Sequence, residues 1–448
     1  MNFKVQKVTR SDSKHVGGIA LIFASVVISS TAHAASWSDN LQTSPYLLGD
    51  WGGERRALEQ RGVAFEFEYT NEIAHNFTGG DRKLTRSTGD VTAGITADLD
   101  KLWGVKHTTF AFTMTDRAGR SLDKDAGLNT SQQTQEVYGR GQTVWLTKLT
   151  LGRKFFDGRL DVEAGRDSEG SDFDLADCNF QNLSFCGPQG PNLYGSYWMS
   201  FPGSVWMARA TVTLSKETYV KFGVYQQSPV YYQQGWEGRN AWSPLSPNGT
   251  TGVVLPLEFG FTPQIRGLNG SYRIGVMYNT GGMPNLTKDI NGNEIAVTGL
   301  KAAQSSQSYN VWLAISQRVA GQNGGEGVDL GLRVVAGDRA TSALDRQITA
   351  SVEYQNPFHR VGDRAGFAIG ATHSSSRAAE YQTEYNALNP TDATAVGTSY
   401  EYPVELFYRW QALPSVALQP DLQYILHPGG TSKNSNVFVA GFKTVIEF

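Results

Sequence analysis

From Val63 onward the chain keeps a period of two. Val63, Phe65, Phe67 and Tyr69 alternate with Ala64, Glu66, Glu68 and Thr70, and Val91, Ala93, Ile95, Ala97 and Leu99 alternate with Thr92, Gly94, Thr96 and Asp98. Period two sends successive side chains to opposite faces of a sheet. The pattern returns in sixteen segments: 63–73, 90–99, 107–116, 143–152, 159–166, 205–214, 218–226, 252–261, 271–279, 308–318, 327–337, 346–354, 365–373, 400–410, 415–427 and 436–448. Most are about ten residues long, the length a tilted strand needs to cross a bilayer.

Two regularities turn these segments into one object. Most odd-numbered connections are long, and the even ones are all short. Outer-membrane barrels have short periplasmic turns and longer outer loops, whereas a soluble sandwich has no reason to sort its loops by parity. The second regularity is charge. The phase rich in Val, Leu, Phe, Tyr and Trp is nearly free of it. The other phase carries Glu66, Glu68, Lys148, Asp161, Glu163, Arg209, Lys221, Glu258, Arg273, Arg333, Glu353, Glu405, Asp421 and Lys443, among others. A barrel of sixteen strands has a lumen wide enough to wet that face. The expected fold is therefore all-β: a transmembrane antiparallel barrel of sixteen strands. Tyr69, Trp145, Trp206, Tyr278, Tyr354, Tyr424 and Phe448, near strand ends, suit interfacial girdles.

Composition agrees with a barrel. The mean hydropathy of −0.34 argues against a bundle of apolar transmembrane helices, but alternation averages hydropathy away in a barrel. Apolar content of 40% excludes a disordered chain. Lys+Arg 39 against Asp+Glu 42 gives a net −3, which argues against a nucleic-acid partner.

The start of the chain reads as an address. Lys4, Lys7, Arg10 and Lys14 precede a short apolar run over 17–28, and Ala32-His33-Ala34 offers small residues at a cleavage point. This order predicts a secretory signal over residues 1–34, cut after Ala34. Residues 35–62 then form an N-terminal periplasmic segment. Its stretch from Glu54 to Arg61 favours a short helix, and Gly62 suits a left-handed stop. This segment either plugs the exit or forms a packed collar. The barrel occupies 63–448. Cys178 and Cys186 are the only cysteines. In an oxidising compartment they predict a disulfide closing a small loop.

Enzymatic patterns are absent. No GxSxG, HExxH, phosphate loop or nucleotide-binding pattern occurs, so neither catalysis nor a cofactor is expected. Asp289–Glu294 lacks the glycine and distal Glu of a calcium loop, and its Asn-Gly pair signals a turn.

The last segment alternates and stops on Phe448. Outer-membrane barrels resemble this ending, which implies barrel-assembly machinery as a partner. Longer pieces resemble the carbohydrate-selective porin family typified by OprB. They are Leu48-Gly49-Asp50-Trp51-Gly52-Gly53 with Arg55 and Leu58, the Cys178-to-Cys186 segment followed by Gly187, and Ala340-Thr341-Ser342. Glu353-Tyr354, Pro403-Val404-Glu405-Leu406-Phe407-Tyr408 and Gln419-Pro420-Asp421-Leu422-Gln423-Tyr424 with Val437-Phe438 complete the set. The resemblance implies an outer-membrane channel that passes monosaccharides, in some members glucose by preference. It also implies outer loops folded into the pore, and lipid and lipopolysaccharide around the wall. Monomer and homotrimer both stay open.

A neutral, hydroxyl-rich solute needs donors, acceptors and flat apolar surfaces at a narrow point, and binding weak enough to release it. The loops at about 117–142 and 167–204 are the expected sources. The first carries Arg117, Arg120, Asp123, Lys124 and Asp125; the second carries Asp167, Glu169, Asp172, Asp174, Asp177, Tyr194, Tyr197 and Trp198. The candidate constriction is Glu66, Glu68, Arg117, Lys148, Glu163, Arg166, Arg209 and Trp198. Arg166 closes its segment, and its facing stays open. A general or cation-preferring porin for small polar solutes is the alternative, and a closed-lumen adhesin or receptor a third reading.

Overall fold

The structure is a computed structural model that describes residues 40–194, 198–245, 247–305 and 308–448. The expected signal over 1–34 and Tyr197 lie outside the described residues.

Sixteen antiparallel strands close into one barrel. They are β1 Val63–Thr78, β2 Thr85–Asp98, β3 Thr108–Gly119, β4 Val144–Phe155, β5 Leu160–Asp167, β6 Val205–Thr213, β7 Thr218–Gln227 and β8 Gly252–Phe261. The second half is β9 Leu268–Asn279, β10 Ser308–Gly321, β11 Gly327–Gly337, β12 Leu344–Gln355, β13 Arg364–Ser374, β14 Tyr400–Leu413, β15 Val416–Leu426 and β16 Val437–Glu447. Each strand pairs with the next, and β16 returns to β1 with Glu68 opposite Glu447 and Ile73 opposite Phe442. Every segment read from alternation is one of these strands. Several strands run further than expected. The first outer loop therefore shrinks to 79–84, because β1 extends to Thr78 and β2 starts at Thr85.

The barrel is apolar outside. Phe67, Ile95, Leu151, Phe222, Leu257 and Ile274 are exposed on the wall. The buried clusters lie inside, where two loops fold back against the strands. Phe173, Trp198 and Met199 of loop 168–204 pack with Met207, Tyr225, Val254, Met277, Trp312 and Val335 of the wall. Leu122, Ala126 and Leu128 of loop 120–143 pack on Ala74, Ile425, Val437 and Val439. The tip of the longer loop puts Phe180 and Phe185 against Ala368 and Phe407.

Helix α1, Glu54–Arg61, precedes β1 as expected, and Gly62 stops it at φ 102°. A side chain there would press on the Asp98 carbonyl oxygen at 3.0 Å. The helix is bound to the wall through Arg55, which donates to the carbonyl oxygens of Phe448 at 2.6 Å and Phe65 at 3.0 Å. Trp145 departs from its expected girdle position. It is fully buried, donates from Nε1 to the Arg140 carbonyl and lies against Trp236. A register irregularity between β3 and β4 changes its phase.

Candidate functional site

Loop 168–204 crosses the lumen and is fastened to the far wall by charge. Asp174 pairs with Arg333 of β11 at 2.8 Å and turns its other oxygen to the amides of Gln189 and Gly190. The Asp174 amide donates to Glu258 of β8. The amides of Gln181 and Asn182 donate to the two oxygens of Glu405 on β14, and Asn179 donates to Glu353 on β12. Within the loop, Cys178 and Cys186 form the expected disulfide.

Loop 120–143 uses the same device on the neighbouring sector. The Val137 amide donates to Glu72 of β1, and the Ser131 amide to Glu401 of β14. Lys443 of β16 bridges Glu72 at 3.3 Å and Glu136 at 2.9 Å. The two loops meet where the Glu136 amide donates to the Gln181 carbonyl at 2.9 Å.

Loop carboxyls report this packing. Burial pushes Glu169 up to about 8, against the opposing hydrogen bond from the Met199 amide. Burial also raises Asp172, opposed by Arg209 and by the Tyr225 hydroxyl. Asp125, near the surface, is held low chiefly by its hydrogen bond from Arg86.

Three expected residues come together on the early strands. Lys148 pairs with Glu163 at 2.8 Å and with Asp167 at 2.6 Å. Arg209 pairs with Glu163 and Asp161 and reaches Asp172 of the long loop at 2.7 Å. Arg117 belongs to β3 rather than to a loop. It faces Asp90 at 3.5 Å and lies over the Phe201 ring at 5.3 Å. Glu66 sits near the periplasmic end of β1. It shares a hydrogen-bonding row with Gly94, Thr113 and Lys148, which climbs the wall as strand tilt requires. Glu68 accepts the Thr70 hydroxyl at 2.9 Å, one step further along.

Two expected residues are corrected. Arg166 is not in the lumen. It shares its face with Leu149 and the exposed Trp206, and donates to the carbonyls of Ser204, Ser243 and Pro244 beneath an outer loop. The residue is one step out of phase with Glu163. Trp198 does not line the channel either, because its ring is fully buried edge-on against Trp312 at 5.4 Å. Glu72, Asp90 and Glu401 were missed. The first shares the phase of Glu66 and Glu68, so alternation had already marked it.

A cavity of about 500 Å³ opens between the two loops, the wall and the connection after β7. Arg117, Glu136, Arg140, Phe201, Tyr232 and Glu237 line it, with the disulfide on one side. It offers donors, acceptors and flat rings in one place. Glu136 lies beside the two cysteines, but the three do not make a metal site, since both sulfurs are spent on the disulfide.

An apolar belt outside, charge inside and loops folded into the lumen define a porin, an outer-membrane channel rather than an enzyme. Its family follows from similarity. A sequence profile of the carbohydrate-selective porin, OprB family matches residues 82–448, and the chain belongs to that family. It is 36% identical to Porin B of Pseudomonas aeruginosa, over 98% of both chains. It is 30% identical to the putative porin QuiX of Acinetobacter baylyi, over 97% of this chain and all of the relative. A solved high-pH structure of Pseudomonas putida OprB superposes with a TM-score of 0.85 at 32% identity, covering 90% of this chain and 99% of the other.

Proposed function

We propose that this porin passes small neutral carbohydrates, monosaccharides such as glucose, by passive diffusion down their gradient. The observation that carries this reading is the cavity between the loops, where Arg117, Arg140 and Glu136 stand beside Phe201 and Tyr232. Guanidinium forks donate to hydroxyls, carboxylates accept from them, and rings cover the C–H face of a sugar. Opposite charges in close pairs give polarity without a strong ionic preference. The eyelet is assigned to the two loops facing the early strands, with Glu66, Glu68, Lys148, Glu163 and Arg209 below them. Residues 1–34 act as the export signal, and sequencing the N-terminus of the exported protein tests that cut.

Liposome swelling with a panel of mono- and disaccharides tests the function. Monosaccharides should enter fastest, and strong ion selectivity without solute block would favour a general cation-preferring porin. Single-channel recordings of Arg117→Ala, Glu66→Gln and Arg209→Ala test the placement. Unaltered sugar block in all three removes these residues from the eyelet.

A further inference from the structure

Loop 168–204 has two faces, and only one of them borders the cavity assigned above. Asp177 and Cys178 are chain neighbours, yet they line different chambers. Cys178, Leu183 and Cys186 border the outer cavity, while Asp177, Phe180 and Phe185 border a second cavity, also about 500 Å³, against β9–β12. The disulfide-closed segment is thus a septum. Asp177, Ser271, Ser316 and Glu353 also line a further space of about 240 Å³ that reaches Asn323 and Gly324 in the short periplasmic turn after β10. The inner chamber therefore opens toward the periplasm.

The chemistry of its wall is specific. Arg273 points a guanidinium to this chamber, and it forms no hydrogen bond or ion pair with any described residue. Its Nε is buried and unsatisfied. The other wall arginine, Arg333, is bound to Asp174, and Glu353 is engaged by Arg364 and Asn179. The Arg273 fork of N–H donors, unlike that of Arg333, is therefore open to a solute that accepts hydrogen bonds. Ser271, Ser316, Thr349 and Ser351 add hydroxyls, and Phe180 and Phe185 supply an apolar edge. Asp177 and Glu353 face the same space, which disfavours an anion and favours a neutral polyhydroxyl solute.

We propose that this inner chamber is a second carbohydrate subsite, centred on Arg273 and Asp177, through which the solute leaves toward the periplasm. The proposal rests on the carbohydrate reading above. Two weak sites in series let each hold the solute briefly without trapping it, the condition for fast conduction. The chamber lies on the opposite side of the septum from Arg117, so the two sites are separable by mutation.

The test is current-noise analysis in planar bilayers with glucose, on the native protein, Arg273→Gln and Asp177→Asn. Neither substitution breaks a hydrogen bond or ion pair with a described residue, so both proteins should fold. Each should weaken glucose block by roughly tenfold, as expected for losing one charge-assisted hydrogen bond. If both variants are blocked like the native protein, the inner subsite is overturned while the carbohydrate reading stands. If the native protein shows neither glucose block nor glucose-driven swelling, the carbohydrate reading falls and the subsite falls with it.

Discussion

The Glu405 carboxylate accepts the backbone amides of Gln181 and Asn182 at 2.6 and 3.0 Å, one oxygen to each. All three groups are buried, so a strand of the wall holds the disulfide-closed tip by its main chain.

Removing that carboxylate should free the tip. Glu405→Ala leaves two buried amides without acceptors, at about 1–3 kcal/mol each. The expected outcome is a wider, less selective channel. The ratio of sucrose to glucose swelling rates should rise, and single-channel conductance should rise with it.

The disulfide should matter to the septum more than to the barrel. Cys178→Ser with Cys186→Ser removes a constraint of about 2–4 kcal/mol on the loop. Sugar block should weaken while the thermal unfolding of the barrel changes little, and dithiothreitol on the native protein should reproduce the effect. A large fall in unfolding temperature would argue against this division.

Glu169 supplies a pH dependence. Its carboxyl is pushed up to about 8 by burial, so the folded loop binds a proton that the free loop releases near the ordinary value. The stabilisation is full below that ordinary value and is lost as pH rises through about 8. Loop packing should loosen progressively as pH rises from about 4.5 to about 8 and change little above that, seen as noisier or larger currents toward the alkaline end. Glu169→Gln, which cannot ionise, should flatten that profile.

Arg55 closes the seam between β1 and β16. It is buried, donates to the carbonyls of Phe448 and Phe65, and lies 3.1 Å from the Tyr46 ring centroid. Arg55→Ala should cost about 2–5 kcal/mol, from two charge-assisted hydrogen bonds and a ring contact. Arg55→Lys should restore little, because an ammonium cannot serve two carbonyls while lying flat on a ring. Heat-dependent gel mobility of the folded barrel measures both.

Most of the architecture was legible because the pleat imposes a period that the membrane then sorts by polarity. Val63 to Tyr69 already show it, and so do the loops sorted by parity. Strand ends were less legible, since β1 continues beyond Ile73 to Thr78 through His75, Asn76 and Thr78, polar residues that alternation does not mark as wall. In the site, Lys148, Glu163 and Arg209 were readable because they share the lumen phase. Arg166 was not, because one residue decides the face and a loop's carbonyls satisfy it from outside. Trp145 was misplaced by an irregularity in register that composition does not reveal. The fastening of loops to Glu72, Glu258 and Glu405 could not be read at all, because it joins residues far apart in sequence through backbone groups.

That fastening has a consequence for how such a channel can change. Glu72, Glu258, Glu401 and Glu405 take hold of peptide N–H groups at Val137, Asp174, Ser131 and Gln181–Asn182. Every residue but proline carries that group. The wall works like a socket that accepts any plug with the same pins. Side chains on the exposed faces of the partition are then free to be exchanged, and solute preference can be retuned on either side of it without rebuilding the frame.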